Sequence, residues 1–248
     1  MALSSLAFET KIRELLDELW PYALAFYHPL LDGRVQSREH LEQWCSRFYI
    51  KDVGVLLART YAKCPHLEAR KFIAENLWEE EGRGQPGRSH PELSARLPHH
   101  FGVEHSDLEE RHQKRLANPQ SRGRQEIVEK ETWLEEFAGF GLGAEFYAPA
   151  FFELILERLR EEFQLPEEVL EFFIVHLTED EDHSRRTMEI VLRYADTDEE
   201  QARVLSAIRR HVMGEAGLTG RVREPTPLPD EVVEKLRSVD RSSAGSSP

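Results

Sequence analysis

Residues 165–195 read LPEEVLEFFIVHLTEDEDHSRRTMEIVLRYA. Apolar residues recur there at three- and four-residue spacings, so the stretch predicts a long amphipathic helix. Within it His176, Asp180 and His183 stand four and seven residues apart. At about 100° per residue these offsets amount to about 400° and 700°, which places all three in one narrow sector of the helix. Two imidazoles and a carboxylate on one face suit a divalent transition metal of intermediate softness: iron, manganese or zinc. Phe172, Phe173 and Thr187 extend the same face, which directs it at a packed interior. The alternative is an acidic, solvated helix face with flanking histidines.

The neighbouring segments have the same period. GAEFYAPAFFELILERLREEF (143–163) carries a strong apolar face and is joined to the long helix by a very short turn, so the two are expected to be antiparallel neighbours. LAFETKIRELLDELW (6–20) places Leu6, Ile12, Leu15, Leu16 and Leu19 at helical spacing, and Pro21 kinks or restarts it. A helix over 38–63 would span about 39 Å at about 1.5 Å per residue. A further helix, 67–81, stops at Gly82, and DTDEEQARVLSAIRRHVMGEAGL has Asp196, Thr197 or Asp198 to cap it. A Pro-containing turn is expected in ANPQSRGRQ (117–125). No sustained Val/Ile/Thr alternation supports a sheet, and no Rossmann or P-loop glycine pattern is present. The expected fold class is all-α: one helical domain over 1–220, a bundle of about seven to nine helices. A Pro/Ser-rich tail follows over 221–248, with a short helix after Pro229 and a disordered SSAGSSP end.

Composition narrows the function classes. Across 248 residues, 32 Lys and Arg against 46 Asp and Glu give a net charge of −14, the wrong sign for a generic phosphate-backbone binder. Two cysteines, Cys45 and Cys64, exclude a disulfide scaffold. The N-terminal stretch is interrupted by charges and offers neither a signal-peptide core nor a membrane span. The expectation is a cytoplasmic protein with no nucleic-acid and no membrane partner, and a homodimer is the default assembly.

Further candidate ligands lie outside the long helix. Glu145 stands among Leu142, Phe146, Tyr147, Phe151 and Phe152, where a carboxylate is costly to bury unless paired or metal-bound. A helix-capping role at the adjacent glycines is the alternative. The run Glu79-Glu80-Glu81 closes the 67–81 helix; periodicity slightly prefers Glu80 as the inward residue and leaves the choice open. His90 follows after a turn. The set Glu80, His90, Glu145, His176, Asp180 and His183 fits two ions better than one. Two divalent ions bring about +4 against about −3 from three carboxylates, leaving roughly one positive charge for a substrate anion.

In this combination the sequence resembles the heme-oxygenase-like diiron oxidases and oxygenases, relatives of the TenA/PqqC superfamily and of the chlamydial death-domain-associating protein type. The resemblance rests on Asn76-Leu-Trp-Glu-Glu-Glu-Gly82, which selects Glu80, on His90 in SHPEL, on Glu145, and on the late His176-x-x-x-Asp180-x-x-His183 helix. It also takes in Tyr27, His28 and RFYIKD (47–52), so it covers about residues 10 to 215. It implies a bundle of about seven core helices enclosing a nonheme centre of two iron ions (Fe2+/Fe3+), with manganese or a mixed Fe/Mn pair as the alternative. O2 is the implied co-substrate, and an external electron donor and a small carboxylate-bearing metabolite or fatty acid are the implied partners. Relatives making p-aminobenzoate carry a lysine where this chain has Ile155 and a tyrosine where it has Ala144. The N-oxygenases carry a glutamate where it has Gly54, and thiaminase-like members use a middle-helix cysteine that neither Cys45 nor Cys64 matches. A p-aminobenzoate-synthase-like enzyme, a cofactorless PqqC/TenA-like enzyme and a helical interaction protein are the other readings.

Facing such a centre, Tyr27, Phe48, Val55, Tyr147, Phe151 and Phe152 are the expected pocket residues. Tyr27 and Tyr147 are candidate catalytic residues, and Arg47 or Lys51 would bind a substrate carboxylate. His28, His99, His100, His105, His112 and His211 show no ligand spacing. Glu79→Ala is expected to have little effect if Glu80 is the ligand.

Overall fold

The computed structural model describes residues 2–117, 130–215 and 226–244. Among them the chain is helical throughout, without a strand. The turn expected around Pro119, residues 221–225 and the end at 245–248 lie outside the described residues.

The chain enters through α1 (Ser5–Leu19), capped by Ser4, whose hydroxyl accepts from Ala7 N. It buries Phe8, Ile12, Leu15, Leu16 and Leu19, whereas Leu6 is exposed. Pro21 ends it in a 3-10 turn, Trp20–Tyr22, and the short α2 (His28–Leu31) follows. The expected 38–63 helix is broken in two: α3 (Arg38–Cys45) and α4 (Val53–Lys63). The reason is visible in Phe48 and Tyr49, which enter different apolar clusters, Phe48 the main core and Tyr49 a small one with Ala95 and Leu108.

Helix α5 (Leu67–Glu80) packs on α4. After the turn at Gly82, α6 (His90–His100) starts in a capping box in which Ser89 and Glu92 satisfy each other's backbone amides. Helix α7 (His105–Ala117) leads out of this region. Beyond it come α8 (Trp133–Gly143), α9 (Ala148–Glu161), α10 (Glu167–Tyr194) and α11 (Asp198–Glu215). Thr197 caps α11, accepting from Glu200 N while Glu200 Oε2 accepts from Thr197 N. Last, α12 (Asp230–Ala244) buries Val232, Val233 and Leu236 in the same core, and Leu228 N donates to Pro21 O at 2.8 Å.

Helix α10 is the hub. It packs against α1, α6, α8 and α9, with α9 its antiparallel neighbour, so its inward face is surrounded on all sides. Side-chain contacts also fix α5 antiparallel to it: Glu79 meets His183, Glu75 meets Arg186 and Glu68 meets Arg193. Arg88 and Arg96 both bind Glu171, which ties the approach to α6 onto α10. Among the described residues no helix is long and apolar enough to cross a membrane.

Candidate metal centre

The inward stripe of α10 carries His176, Asp180 and His183, all buried. Three other segments bring side chains to it. The last turn of α5 contributes Glu80, the first residue of α6 is His90, and the junction between α8 and α9 supplies Glu145. Glu145 therefore lies ahead of the helix expected over 143–163, which begins only at Ala148, and Pro149 follows as its second residue.

The six side chains form two groups. Glu80, His90 and His176 make one; Glu145, Asp180 and His183 make the other; within each, one ligand atom per residue lies within 4.8 Å of the others. His90 Nδ1 is 3.0 Å from Glu80 Oε1 in the first group. In the second, His183 Nδ1 is 3.5 Å from Glu145 Oε1 and 3.9 Å from Asp180 Oδ1. Donors held about 2.0–2.2 Å from one shared cation stand about 3–4 Å apart, which matches these separations. The rings of His90 and His176 are 4.4 Å apart.

Hydrogen bonds orient two of the imidazoles. His176 Nδ1 donates to Phe172 O at 2.5 Å, which leaves Nε2 as its lone-pair nitrogen. His183 Nε2 donates to Glu79 Oε2 at 2.7 Å, which leaves Nδ1 facing the carboxylates, buried and without a hydrogen bond. This orphaned nitrogen between two acids is the observation that fits a cation best.

The charge balance agrees. Elsewhere the fold neutralises a buried acid with cations: Glu136 receives Arg59 Nε at 2.5 Å and Lys63 Nζ at 3.2 Å. Among the described residues none of Glu80, Glu145 and Asp180 pairs with a lysine or arginine. Burial, then the carboxylates of Glu145 and Glu80, hold Asp180 well above the usual carboxyl range, against the pull of His183 and His90. Asp180 thus feels both groups and links them. Burial lowers the His183 pKa, but Glu145, Asp180 and Glu79 outweigh it and raise it to about 10.

A proton count follows from these shifts. At neutral pH the metal-free protein holds a proton on His183, and an ion must displace it. Zinc loading is expected to release about one proton per chain from His183, with affinity falling about tenfold per pH unit as pH is lowered. Titration calorimetry in buffers of different ionisation enthalpy measures this, and zero release would show a neutral metal-free His183.

Aromatic rings wall off both groups. Phe172 lies 4.4 Å and Phe152 5.6 Å from the His176 ring, and Phe72 lies 6.0 Å from the His183 ring. Of the expected pocket residues, Tyr27 reaches this wall, 5.2 Å from Phe152, with Phe48 beside it at 6.1 Å. Phe152 itself touches His176, whereas Val55, Tyr147 and Phe151, like the expected carboxylate binders Arg47 and Lys51, are not brought to the six side chains. Arg47 and Val55 are exposed, and Lys51 is bound to Glu109 at 2.6 Å. All three follow the break in the 38–63 segment, which discards the helical phase that pointed them inward. Tyr147 faces α1, where its hydroxyl donates to Leu16 O at 2.9 Å and its ring packs 4.8 Å from Trp20, and Phe151 stacks on Trp20 as well.

Three residues of the site have a part that periodicity alone does not reveal. Glu79 holds His183 rather than pointing away, contrary to the expectation that its removal is harmless. Asn76, one turn before Glu80, and Thr187, one turn after His183, are buried with Asn76 Oδ1 and Thr187 Oγ1 lacking hydrogen-bond partners. Their helical offsets from Glu80 and His183, and the place of Asn76 at the head of the Asn76–Gly82 motif, are the sequence signals for them.

Among curated proteins none matches the chain. Residues 40–216 match the family model described as iron-containing redox enzyme. That span takes in all but the first two residues of α3, then α4 through α11, and all six buried acids and histidines, and an all-helical bundle is the architecture of the heme-oxygenase-like, TenA/PqqC-type proteins. The chain belongs to this family of iron-containing redox enzymes.

Proposed function

We propose that the protein is a nonheme diiron oxidase or oxygenase that uses O2 on a small carboxylate-bearing metabolite or fatty acid. The reading rests above all on the two buried triads, each of mixed carboxylate and imidazole, with no lysine or arginine paired to their acids among the described residues. Glu80, His90 and His176 would hold one ion and Glu145, Asp180 and His183 the other. Bound iron supplies the redox chemistry with O2 that none of these side chains can perform alone.

The chain's own contribution is placement and exclusion. Phe172 O and Glu79 orient two imidazoles, and Asp180 couples the two triads. Phe72, Phe152 and Phe172 shield the histidines from water, and Tyr27 packs behind Phe152. With Arg47 exposed and Lys51 bound to Glu109, neither meets a substrate carboxylate at the triads, and the roughly single positive charge left by two ions and three acids would be its anchor. Electrons come from an external donor. Nitrogen and oxygen donors also suit manganese, so an Fe/Mn or dimanganese form is the competing version.

Metal analysis after anaerobic reconstitution is expected to give two ions per chain. Saturation at one would overturn the diiron reading. The iron-loaded protein with a chemical reductant is expected to consume O2 faster when fatty acids are added, and anomalous scattering at the iron and manganese edges identifies the ions.

A further inference from the structure

Glu79 and Glu80 are adjacent in sequence and about 100° apart on α5, and the end of that helix serves both triads. Glu80 joins His90 in the first; Glu79 reaches the second through His183. Both oxygens of Glu79 are engaged: Oε2 accepts from His183 Nε2 at 2.7 Å, and Oε1 accepts from Arg83 Nη2 at 2.7 Å. The Glu79 side chain is 14% exposed and Arg83 50% exposed, so the line runs from solvent to the buried imidazole. Arg83 gains its position from the tight turn after α5, where it adopts φ +53°.

We propose that Glu79 is a positioning residue for the second triad. It holds the His183 ring with Nε2–H outward and Nδ1 toward Glu145 and Asp180, where an ion would replace the Nδ1 proton, and Arg83 holds Glu79 in turn. A carboxylate on the far nitrogen of a ligating histidine fixes its tautomer and strengthens it as a donor, and losing such a partner costs about 10–100-fold in metal affinity. The inference rests on the two-ion reading above and adds an asymmetry to it: the second ion depends on Glu79 and the first does not.

The test is calorimetric titration of the full-length metal-free chain with Zn(II), a diamagnetic probe, alongside nitrogen-15 spectra of its imidazoles. The wild type is expected to take up two ions while the His183 Nε2–H signal persists on loading. In Glu79→Gln one event is expected to keep its affinity and the other to weaken about 10–100-fold. Arg83→Met, which leaves Glu79 and His183 in place, is expected to weaken the same event by less, and it carries the test if Glu79→Gln fails to fold. Wild-type affinity for both ions in Glu79→Gln overturns the positioning role while the two-ion reading stands. Loss of the Nε2–H signal on loading also overturns it, because Glu79 would then itself bind the ion. A wild type that binds only one ion removes the two-ion reading and this inference together.

Discussion

Asp180→Asn is expected to strip the chain of metal and, in the same variant, to raise the melting temperature of the metal-free protein. Asp180 is 3% exposed, and burial together with Glu145 and Glu80 disfavours its charge. The folded metal-free chain carries that penalty, and the unfolded chain does not. An amide keeps the shape and removes the charge. Replacing a whole buried ion pair with well-packed neutral groups is often neutral or stabilising by about 1–4 kcal/mol. Here Glu145 keeps its contact with His183 while the repelled acid is removed. At about 2–4 °C per kcal/mol for a chain of this size, a gain of about 1 kcal/mol is measurable. The sign with pH is fixed as well. A carboxyl whose folded pKa is raised costs stability only above its unfolded value of about 3.9. The gain in Asp180→Asn should therefore vanish in acid and grow as pH rises toward neutrality.

Metal affinity moves the other way. Because even the partners of ligands are worth about 10–100-fold, loss of a ligand oxygen that faces both groups should cost more than about 100-fold. The order of melting temperatures thus inverts: the variant is the more stable with chelator present and the wild type the more stable with metal. Calorimetric scans in the two conditions, with metal analysis, give all four values. A lower melting temperature for the metal-free variant would mean that Asp180 serves the fold rather than an ion, since destabilising placement of charge is expected only where function requires it.

How much of this was legible follows from where the information lies. The α10 stripe could be read directly, because one helix face is a local property and the offsets of Asp180 and His183 from His176 report it without reference to the rest of the chain. The class, all-α with α9 against α10, follows from the same periodicity. The break between α3 and α4 could not be read this way. Apolar residues continue at helical spacing through 46–52, and only the tertiary surroundings pull Phe48 and Tyr49 into different clusters. Arg47, Lys51 and Val55 were misplaced with it.

Glu79 and Glu80 show the other limit. Periodicity asks which one faces inward, and the structure uses both, because α6 and α10 approach the end of α5 from different sides. Tyr147 is expected to face the site from its helix, yet the turn at the α8–α9 junction sends its ring toward Trp20. In each case the residue type was right for a site, and a long-range contact decided its use.

Gly82→Ala is expected to abolish the first triad and spare the second. Gly82 follows α5 by two residues at φ +73°, and a Cβ there would stand 2.5 Å from Ser89 N, 2.6 Å from Arg88 C and 2.9 Å from Arg88 O. These are backbone atoms that cannot rotate away, so the strand of chain leading to α6 must shift. Ser89 caps α6 and His90 is its first residue, so the shift is delivered directly to the 3.0 Å contact between His90 Nδ1 and Glu80 Oε1. A misplacement of about 1 Å at a reacting centre costs about 100-fold, so turnover should fall at least that far and, on the two-ion proposal, metal content should drop from two ions per chain to one. The left-handed backbone alone costs about 1–2 kcal/mol for a residue with a Cβ, which by itself would lower stability without touching the site. Gly87→Ala separates the two causes: Gly87 has φ +76° and nothing within 4 Å of the added Cβ. It should lose comparable stability and keep both ions. If Gly87→Ala lost metal equally, general destabilisation would explain both variants, and the close approach of the backbones at Gly82 would have no special part in seating His90 beside Glu80.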